Sequence, residues 1–232
     1  EKVLPGANCS GCGNPSCYAY ARAMVESGAA PNLCVLAADK AEEIGSILGK
    51  EVSMLESQVA AIRCYGGTQT AKQFEYNGIP SCRAAAFFSG GDNACQYSCL
   101  GFGDCISACP FGALTRDGRS RPVVDRKACT GCGRCMSECP KGVIVLMPAA
   151  ALPLVACSTR DKGKIVRQNC KIGCIGCGKC VKVCAQDAVS IQDNLVLIDY
   201  DKCNGCGTCV ESCSRNIIVD YLGAGAPEAL SK

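Results

Sequence analysis

Apolar positions in this chain fall into short runs separated by polar and glycine-rich stretches. The longest, VIVLMPAAALPLVAC from Val143 to Cys157, is interrupted by Pro148 and Pro153. It is shorter than the ~20 residues of a transmembrane helix. Proline continues neither a helix nor a central strand, so the run predicts two short strands joined by a linker. Helical spacing stands out near the N-terminus, where Tyr18 to Ser27 predicts one helix ended at Gly28. Ala37 to Leu48 predicts a second, with Ile44, Ile47 and Leu48 on one face. Lys50 to Ser57 reads as a polar linker, and Gly223 to Lys232 as a frayed tail rich in Gly, Ala and Pro.

Comparison of the chain with itself exposes a tandem duplication. Cys82, Cys95, Cys99, Cys105 and Cys109 recur 75 residues later as Cys157, Cys170, Cys174, Cys180 and Cys184. At an offset of 74, Cys129, Cys132, Cys135 and Cys139 recur as Cys203, Cys206, Cys209 and Cys213. The surroundings repeat too, VVDRKACTGCGRCMSECP answering LIDYDKCNGCGTCVESCS. Residues 1–49 carry a different cysteine pattern and form a separate module.

Composition moves the question from packing to chemistry. Among 232 residues are 24 Cys, no His and no Trp, with 5% aromatic residues and a net charge of +3. Disulfide-stapled scaffolds are usually much shorter, and residues 1–8, EKVLPGAN, hold no apolar stretch of signal-peptide length. The cysteines therefore read as reduced metal ligands in a cytoplasmic-side setting. Glu1 is not Met, so the natural start is expected upstream, where an anchor would lie. With few aromatic residues to build a core, bound metal has to supply much of the folding free energy, and the metal-free chain is expected to be poorly folded. Weak net charge and scarce aromatic residues disfavour a nucleic-acid partner.

In CTGCGRCMSECP, Cys129, Cys132 and Cys135 stand three apart, and Cys139 follows four later, before Pro140. This is the bacterial ferredoxin spacing: a tight loop presents three thiolates to one [4Fe-4S] cubane, and a short helix carries the fourth Cys to its neighbour. Gly131 and Gly133 permit close backbone approach and positive φ. Zinc sites more often use two separated pairs, frequently with His, whereas here a three-plus-one run is repeated. By the crossover rule, Cys174, Cys177, Cys180 and Cys213 hold one cluster, Cys203, Cys206, Cys209 and Cys184 a second, and Cys129, Cys132, Cys135 and Cys109 a third. The fourth is irregular. Phe102 stands where Cys177 has its equivalent, so Cys99, Cys105 and Cys139 need another ligand, and Cys95 is the expected one. Cys9, Cys12, Cys17 and Cys34 make a fifth site in the N-terminal module. Cys64, Cys82, Cys157 and Cys170 remain, equal in number to the ligands of a sixth cluster; the alternatives are packing cysteines or a disulfide. The Pro that usually follows the fourth Cys is replaced by Ala185 and Ser214, which shifts backbone geometry and not ligation.

The expected fold is α+β, a small N-terminal iron–sulfur helical module (1–49) followed by two tandem bacterial-type two-cluster ferredoxin domains, 58–147 with an N-terminal extension and 153–222. The opening LPGANCSGCGNPSCYAYARAMVESGAAPNLC resembles the iron–sulfur domain of the B subunit of the Rnf complex, the ion-pumping ferredoxin:NAD oxidoreductase. QYSCLGFGDCISACPFGAL, CTGCGRCMSECPKGVI and VACSTRDKGKIVRQNCKIGCIGCGKCVKVC are similar to its long, clostridial-type form, and the resemblance covers residues 3–220. It implies an electron-transfer subunit that takes single low-potential electrons from reduced ferredoxin at the cytoplasmic face of the cell membrane. The electrons pass towards membrane and flavin subunits, with no catalytic site for substrate in this chain itself. Family members carry an N-terminal membrane helix that this sequence lacks, so membrane contact is expected through partners or through a helix preceding Glu1. No Gly-rich phosphate loop lies between a strand and a helix, so neither flavin nor nicotinamide is expected to bind. Lys127, Arg134, Lys171, Lys179 and Lys182 adjoin ligands, where they either raise cluster potentials and attract an acidic ferredoxin or form a solvated basic face. A polyferredoxin subunit of a hydrogenase or formate dehydrogenase assembly is the other reading the pattern allows.

Overall fold

In the computed structural model, which describes residues 1–52, 56–150 and 153–221, the backbone is built from short elements. The N-terminal module starts as a loop and enters helix α1 (Cys17–Glu26). Ser16 caps the helix by accepting the Ala19 N–H at 3.0 Å, a contact worth about 1 kcal/mol. Gly28, at φ +73°, turns the chain away. Tyr20 is almost fully buried; its hydroxyl donates to Ala30 O at 2.7 Å and accepts the Leu33 N–H at 3.1 Å, which fastens the return loop leading to Cys34. The second predicted helix is shorter than its pattern. Ala37 is non-helical (φ −121°, ψ 32°), so 3-10 turns span Val35–Lys40 and α2 covers only Ala41–Leu48. Its apolar face also needs correction: Ile44 is buried and Leu48 packs beside it, but Ile47 is 67% exposed. The helix seats through Ala41, Ile44 and Gly45, where a Cβ on Gly45 would meet Val52 at 2.3 Å.

The first copy of the duplication runs β1 (Gln58–Ile62), α3 (Cys82–Phe87), α4 (Asp104–Ser107), β2 (Leu114–Arg116), β3 (Pro122–Val124), α5 (Arg134–Glu138) and β4 (Ile144–Pro148). The second runs β5 (Pro153–Val155), α6 (Gly163–Asn169), α7 (Lys179–Lys182), β6 (Val189–Gln192), β7 (Leu195–Ile198), α8 (Thr208–Glu211) and β8 (Ile218–Asp220). In each copy the outer strands pair antiparallel, β1 with β4 and β5 with β8, around an inner hairpin, β2–β3 or β6–β7. The apolar run at 143–157 contributes β4 and β5, the two strands its prolines predict. Residues 53–55 of the linker and the tail from 223 onward lie outside the described residues. Among the described residues no helix is long and apolar enough to cross a membrane.

The two copies share a core. Val59, Ala61 and Met147 pack in one buried cluster with Leu154, Val155 and Ile218. Polar contacts stitch the same seam: Tyr65 N–H donates to Ala156 O at 3.1 Å, Arg63 to Val196 O at 2.9 Å and Tyr221 OH to Ala60 O at 2.7 Å.

Two-stranded ribbons are marginal in water, and helices of four or five residues fall below the length at which a helix sustains itself. All four sheets among the described residues are two-stranded. The loops therefore depend on what the cysteines bind. Chelating the iron from anaerobically prepared protein is expected to remove the cooperative thermal transition seen by circular dichroism; a metal-free chain that kept that transition would show its elements to be self-sufficient.

Candidate iron–sulfur sites

The three-cysteine loops fold alike. Glycines between the cysteines take positive φ, 68° and 76° at Gly131 and Gly133, 64° and 74° at Gly176 and Gly178, 73° and 77° at Gly205 and Gly207. A side chain would be strained there, and at Gly131 a Cβ would also meet Gln58 O at 2.4 Å. The second glycine of each pair caps α5, α7 or α8, so the third cysteine enters a helix with its thiol inward; Cys135, Cys180 and Cys209 are buried. Cys109, Cys129, Cys132 and Cys135 ring one apolar cavity walled by Ala60 and Leu114. The Ala60 N–H donates to Cys129 Sγ at 3.4 Å.

In the second copy, Cys180 interacts electrostatically with Cys174, Cys177 and Cys213, and Cys209 with Cys203 and Cys206. Cys184, the fourth ligand expected beside Cys209, packs against the same core and accepts the Ala188 N–H at 3.3 Å. In the N-terminal module Cys34 faces Cys12 and Cys17, and Cys9 is buried. Asn8 Oδ1 accepts the Cys17 N–H at 2.8 Å, which folds this loop onto the start of α1. The module abuts the first copy at a definite point, since a Cβ on Gly11 would lie 3.0 Å from Cys132 Cβ.

At the irregular site the cysteines gathered by the fold differ from the expected set. Cys99, Cys105 and Cys139 line a cavity together with Cys82, and Cys95 is not among its walls. The cause is an insertion. Cys64 follows β1 as Cys157 follows β5, yet 31 residues separate Cys64 from Cys95 against 13 between Cys157 and Cys170, an excess of 18 in the first copy. The equal spacing of Cys82–Cys95 and Cys157–Cys170 is coincidental, and the match of AAIRC to PLVAC, each a strand running into a cysteine, was the signal that reveals it. The inserted residues include α3, whose N-terminus is anchored by Asp104. That carboxylate accepts the Ser81 hydroxyl at 2.8 Å, the Cys82 N–H at 2.9 Å and the Arg83 N–H at 3.1 Å. Burial opposes the charge, but these hydrogen bonds prevail and hold Asp104 below the usual carboxylate range. Because Asp104 adjoins Cys105, the anchor sets Cys82 opposite the loop. Phe102 leaves the loop shape intact, with Gly101 and Gly103 still at φ 80° and 91°, and packs edge-on against Tyr76 at 5.6 Å.

These arrangements suit cubanes. Burial pushes the Cys105 thiol up to about 12 and those of Cys135 and Cys209 up to about 11, and neighbouring thiols add to the effect. Four such thiols do not ionise together unless positive charge sits among them, and cluster iron supplies it. The sulfurs ring cavities instead of a point: among the described residues no group of three or more His, Cys, Asp or Glu is gathered to hold one metal ion.

Glycine-shaped cysteine loops, apolar cavities edged by thiols and N–H groups aimed at sulfur define a multi-site [4Fe-4S] electron carrier of the ferredoxin type. A family model described as "Putative Fe-S cluster" matches residues 4–36, and two models described as "4Fe-4S dicluster domain" match 93–143 with 173–217, and 121–185. The B subunit of the proton-translocating ferredoxin:NAD(+) oxidoreductase complex of Clostridium ljungdahlii is 47% identical over 206 residues, 88% of this chain and 72% of that protein. The Na(+)-translocating counterpart of Acetobacterium woodii is 44% identical over 87% of this chain, which spans only 61% of that protein's length. The B subunit of the ion-translocating oxidoreductase complex of Methanosarcina acetivorans is 41% identical, with 87% and 77% covered. The chain belongs to the family of B subunits of ion-translocating ferredoxin:NAD(+) oxidoreductase complexes.

The Asp104 anchor is open to direct test. Asp104→Ala is expected to release α3 and lower the iron content of reconstituted protein by about four per chain, as is Cys82→Ala. Iron and acid-labile sulfide assays check this; unchanged iron in Cys82→Ala would place the ligand elsewhere.

Proposed function

We propose that this chain relays single low-potential electrons from reduced ferredoxin to the membrane and flavin subunits of an ion-translocating ferredoxin:NAD(+) oxidoreductase complex at the cytoplasmic face of the cell membrane. The observation that carries this reading is the serial placement of cysteine sites, beginning where the N-terminal loop abuts Cys132. The residues to hold [4Fe-4S] groups are Cys9, Cys12, Cys17 and Cys34; Cys109, Cys129, Cys132 and Cys135; Cys82, Cys99, Cys105 and Cys139; Cys174, Cys177, Cys180 and Cys213; and Cys184, Cys203, Cys206 and Cys209. When bound, such a group takes up and releases one electron. The protein supplies apolar walls that exclude water and N–H donors that favour the charged sulfurs, the levers by which neighbouring potentials are staggered. The names of the relatives support the choice of partners. The chain itself contributes no substrate chemistry and works as three units, 1–49, 58–147 and 153–222.

Entry at the second copy is favoured by exposure. Cys177 and Cys206, the middle cysteines of their loops, are exposed, whereas Cys9 and Cys34 of the N-terminal module are buried. Lys171, Lys179 and Lys182 flank Cys177 and are exposed as well. An acidic ferredoxin docking there places its own cluster beside the most accessible thiols of the chain.

Stopped-flow mixing of the cluster-loaded chain with reduced ferredoxin tests both points. The wild type is expected to be reduced in a fast, salt-sensitive second-order step. Combined Lys171→Glu, Lys179→Glu and Lys182→Glu substitutions should slow it by roughly tenfold or more at low salt and weaken the salt dependence. An unaltered rate would move the docking surface elsewhere, and absence of any reduction would contradict the relay.

A further inference from the structure

We infer that the two ferredoxin-like copies are joined by a further [4Fe-4S] site, held by Cys64 and Cys95 of the first copy and Cys157 and Cys170 of the second. This rests on the relay reading above and extends it. All four cysteines line one cavity on the seam between the copies. The group of spare cysteines expected from the sequence thus changes by one member, Cys95 taking the place of Cys82.

The two halves of the site occupy equivalent places in the two copies. Cys64 follows β1 and Cys157 follows β5. Each sulfur accepts an N–H from the first cysteine of its own copy's loop, Cys99 N–H to Cys64 Sγ at 3.3 Å and Cys174 N–H to Cys157 Sγ at 3.4 Å. Cys95 and Cys170 each stand four residues before that same cysteine. The backbone holds the halves together across the seam: Thr70 bridges antiparallel to Cys170, Ala71 N–H donates to Asn169 O at 2.8 Å, and Lys171 N–H donates to Gln69 O at 3.1 Å. The Asn169 side-chain amide adds a hydrogen bond to Ala94 O at 3.2 Å, beside Cys95.

The space among the thiols is kept open. Gly66 faces it, and a Cβ there would lie 3.5 Å from Cys64 Sγ, 3.8 Å from Cys170 Sγ and 2.4 Å from Thr70 Oγ1. The remaining wall is largely apolar, with Tyr65, Ala156, Val166 and Ile217. None of the four thiols is in a disulfide. Packing cysteines have no use for sulfur-directed N–H groups repeated in both halves; ligands do. The same N–H groups fix the site's place in the series. Cys99 belongs to the Cys82 set and Cys174 to the Cys213 set, so one hydrogen bond separates the seam site from the nearest set of each copy.

Iron and acid-labile sulfide on the anaerobically reconstituted full chain test the inference. The wild type is expected to hold about 24 irons, and Cys64→Ala, Cys95→Ala, Cys157→Ala and Cys170→Ala about 20 each, at four per cubane. The double variant Cys64→Ala/Cys170→Ala should also hold about 20, because its two positions serve one group, whereas Cys82→Ala/Cys170→Ala should fall to about 16. If an alanine variant fails to fold, Cys95→Gly reconstituted with 2-mercaptoethanol should recover the four lost irons, the small thiol standing in for the missing side chain. No recovery, or additive loss in Cys64→Ala/Cys170→Ala, overturns the shared site. A wild type with about 20 irons that none of the four substitutions lowers overturns it while leaving the five-site relay intact, and a wild type far below 20 overturns both.

Discussion

The bond between a cysteine thiolate and cluster iron is the constraint from which the rest of this architecture follows. Each such bond ties down a loop in the ferredoxin-like copies, where the helices entered by the third cysteine of a loop (α4, α5, α7 and α8) have four or five residues and the strands only three to five. Once sulfur ties the loops, the backbone must come close to an inorganic cube, and glycine at positive φ is what permits it, as at Gly131 and Gly133. The short helices then serve as levers that place one thiol inward, with Cys135, Cys180 and Cys209 in equivalent positions.

Polar anchors do the positioning that sulfur does not. Asp104 gathers three donors at the N-terminus of α3 and so brings a cysteine from an inserted segment to a site its own copy had lost. Each of those hydrogen bonds to a charged acceptor contributes roughly 1.5–3 kcal/mol where it is shielded from water. Asp104 is partly exposed, which places its bonds at the lower end. Tyr20 plays a similar part in the N-terminal module by holding the return of the chain towards Cys34. At the seam, hydrogen bonds between residues 69–71 and 169–171 align two halves that share one apolar core.

Legibility in the sequence followed the range of the interactions. The regular loops were readable because their spacing is local, and the duplication because equivalent elements keep their offsets, as α4 and α7 do. The prolines at 148 and 153 marked the ends of strands for the same local reason. Which cavity Cys82 and Cys95 would each line was not legible, because their places depend on an insertion of 18 residues in the first copy, and a constant offset of 75 concealed it. Ile47 followed the helical period yet faces outward, since α2 packs through Ile44 and Leu48 on the Tyr20 and Met24 cluster and through Gly45 on residues 50–52. The kink at Ala37 likewise belongs to the way the chain wraps Cys34, with the Ala37 N–H donating to Cys34 O at 3.1 Å.

On the proposed ligand sets, the contact of Gly11 with Cys132, the crossover of Cys109 and Cys139, and the N–H groups of Cys99 and Cys174 directed at Cys64 and Cys157 would link the sites in a single series. Low-temperature electron paramagnetic resonance of the fully reduced, cluster-loaded chain tests that claim most directly. Neighbouring reduced clusters in such a series are expected to broaden and split one another's signals through spin–spin coupling. A spectrum that is the plain sum of narrow, isolated signals, one for each cluster, would contradict the series.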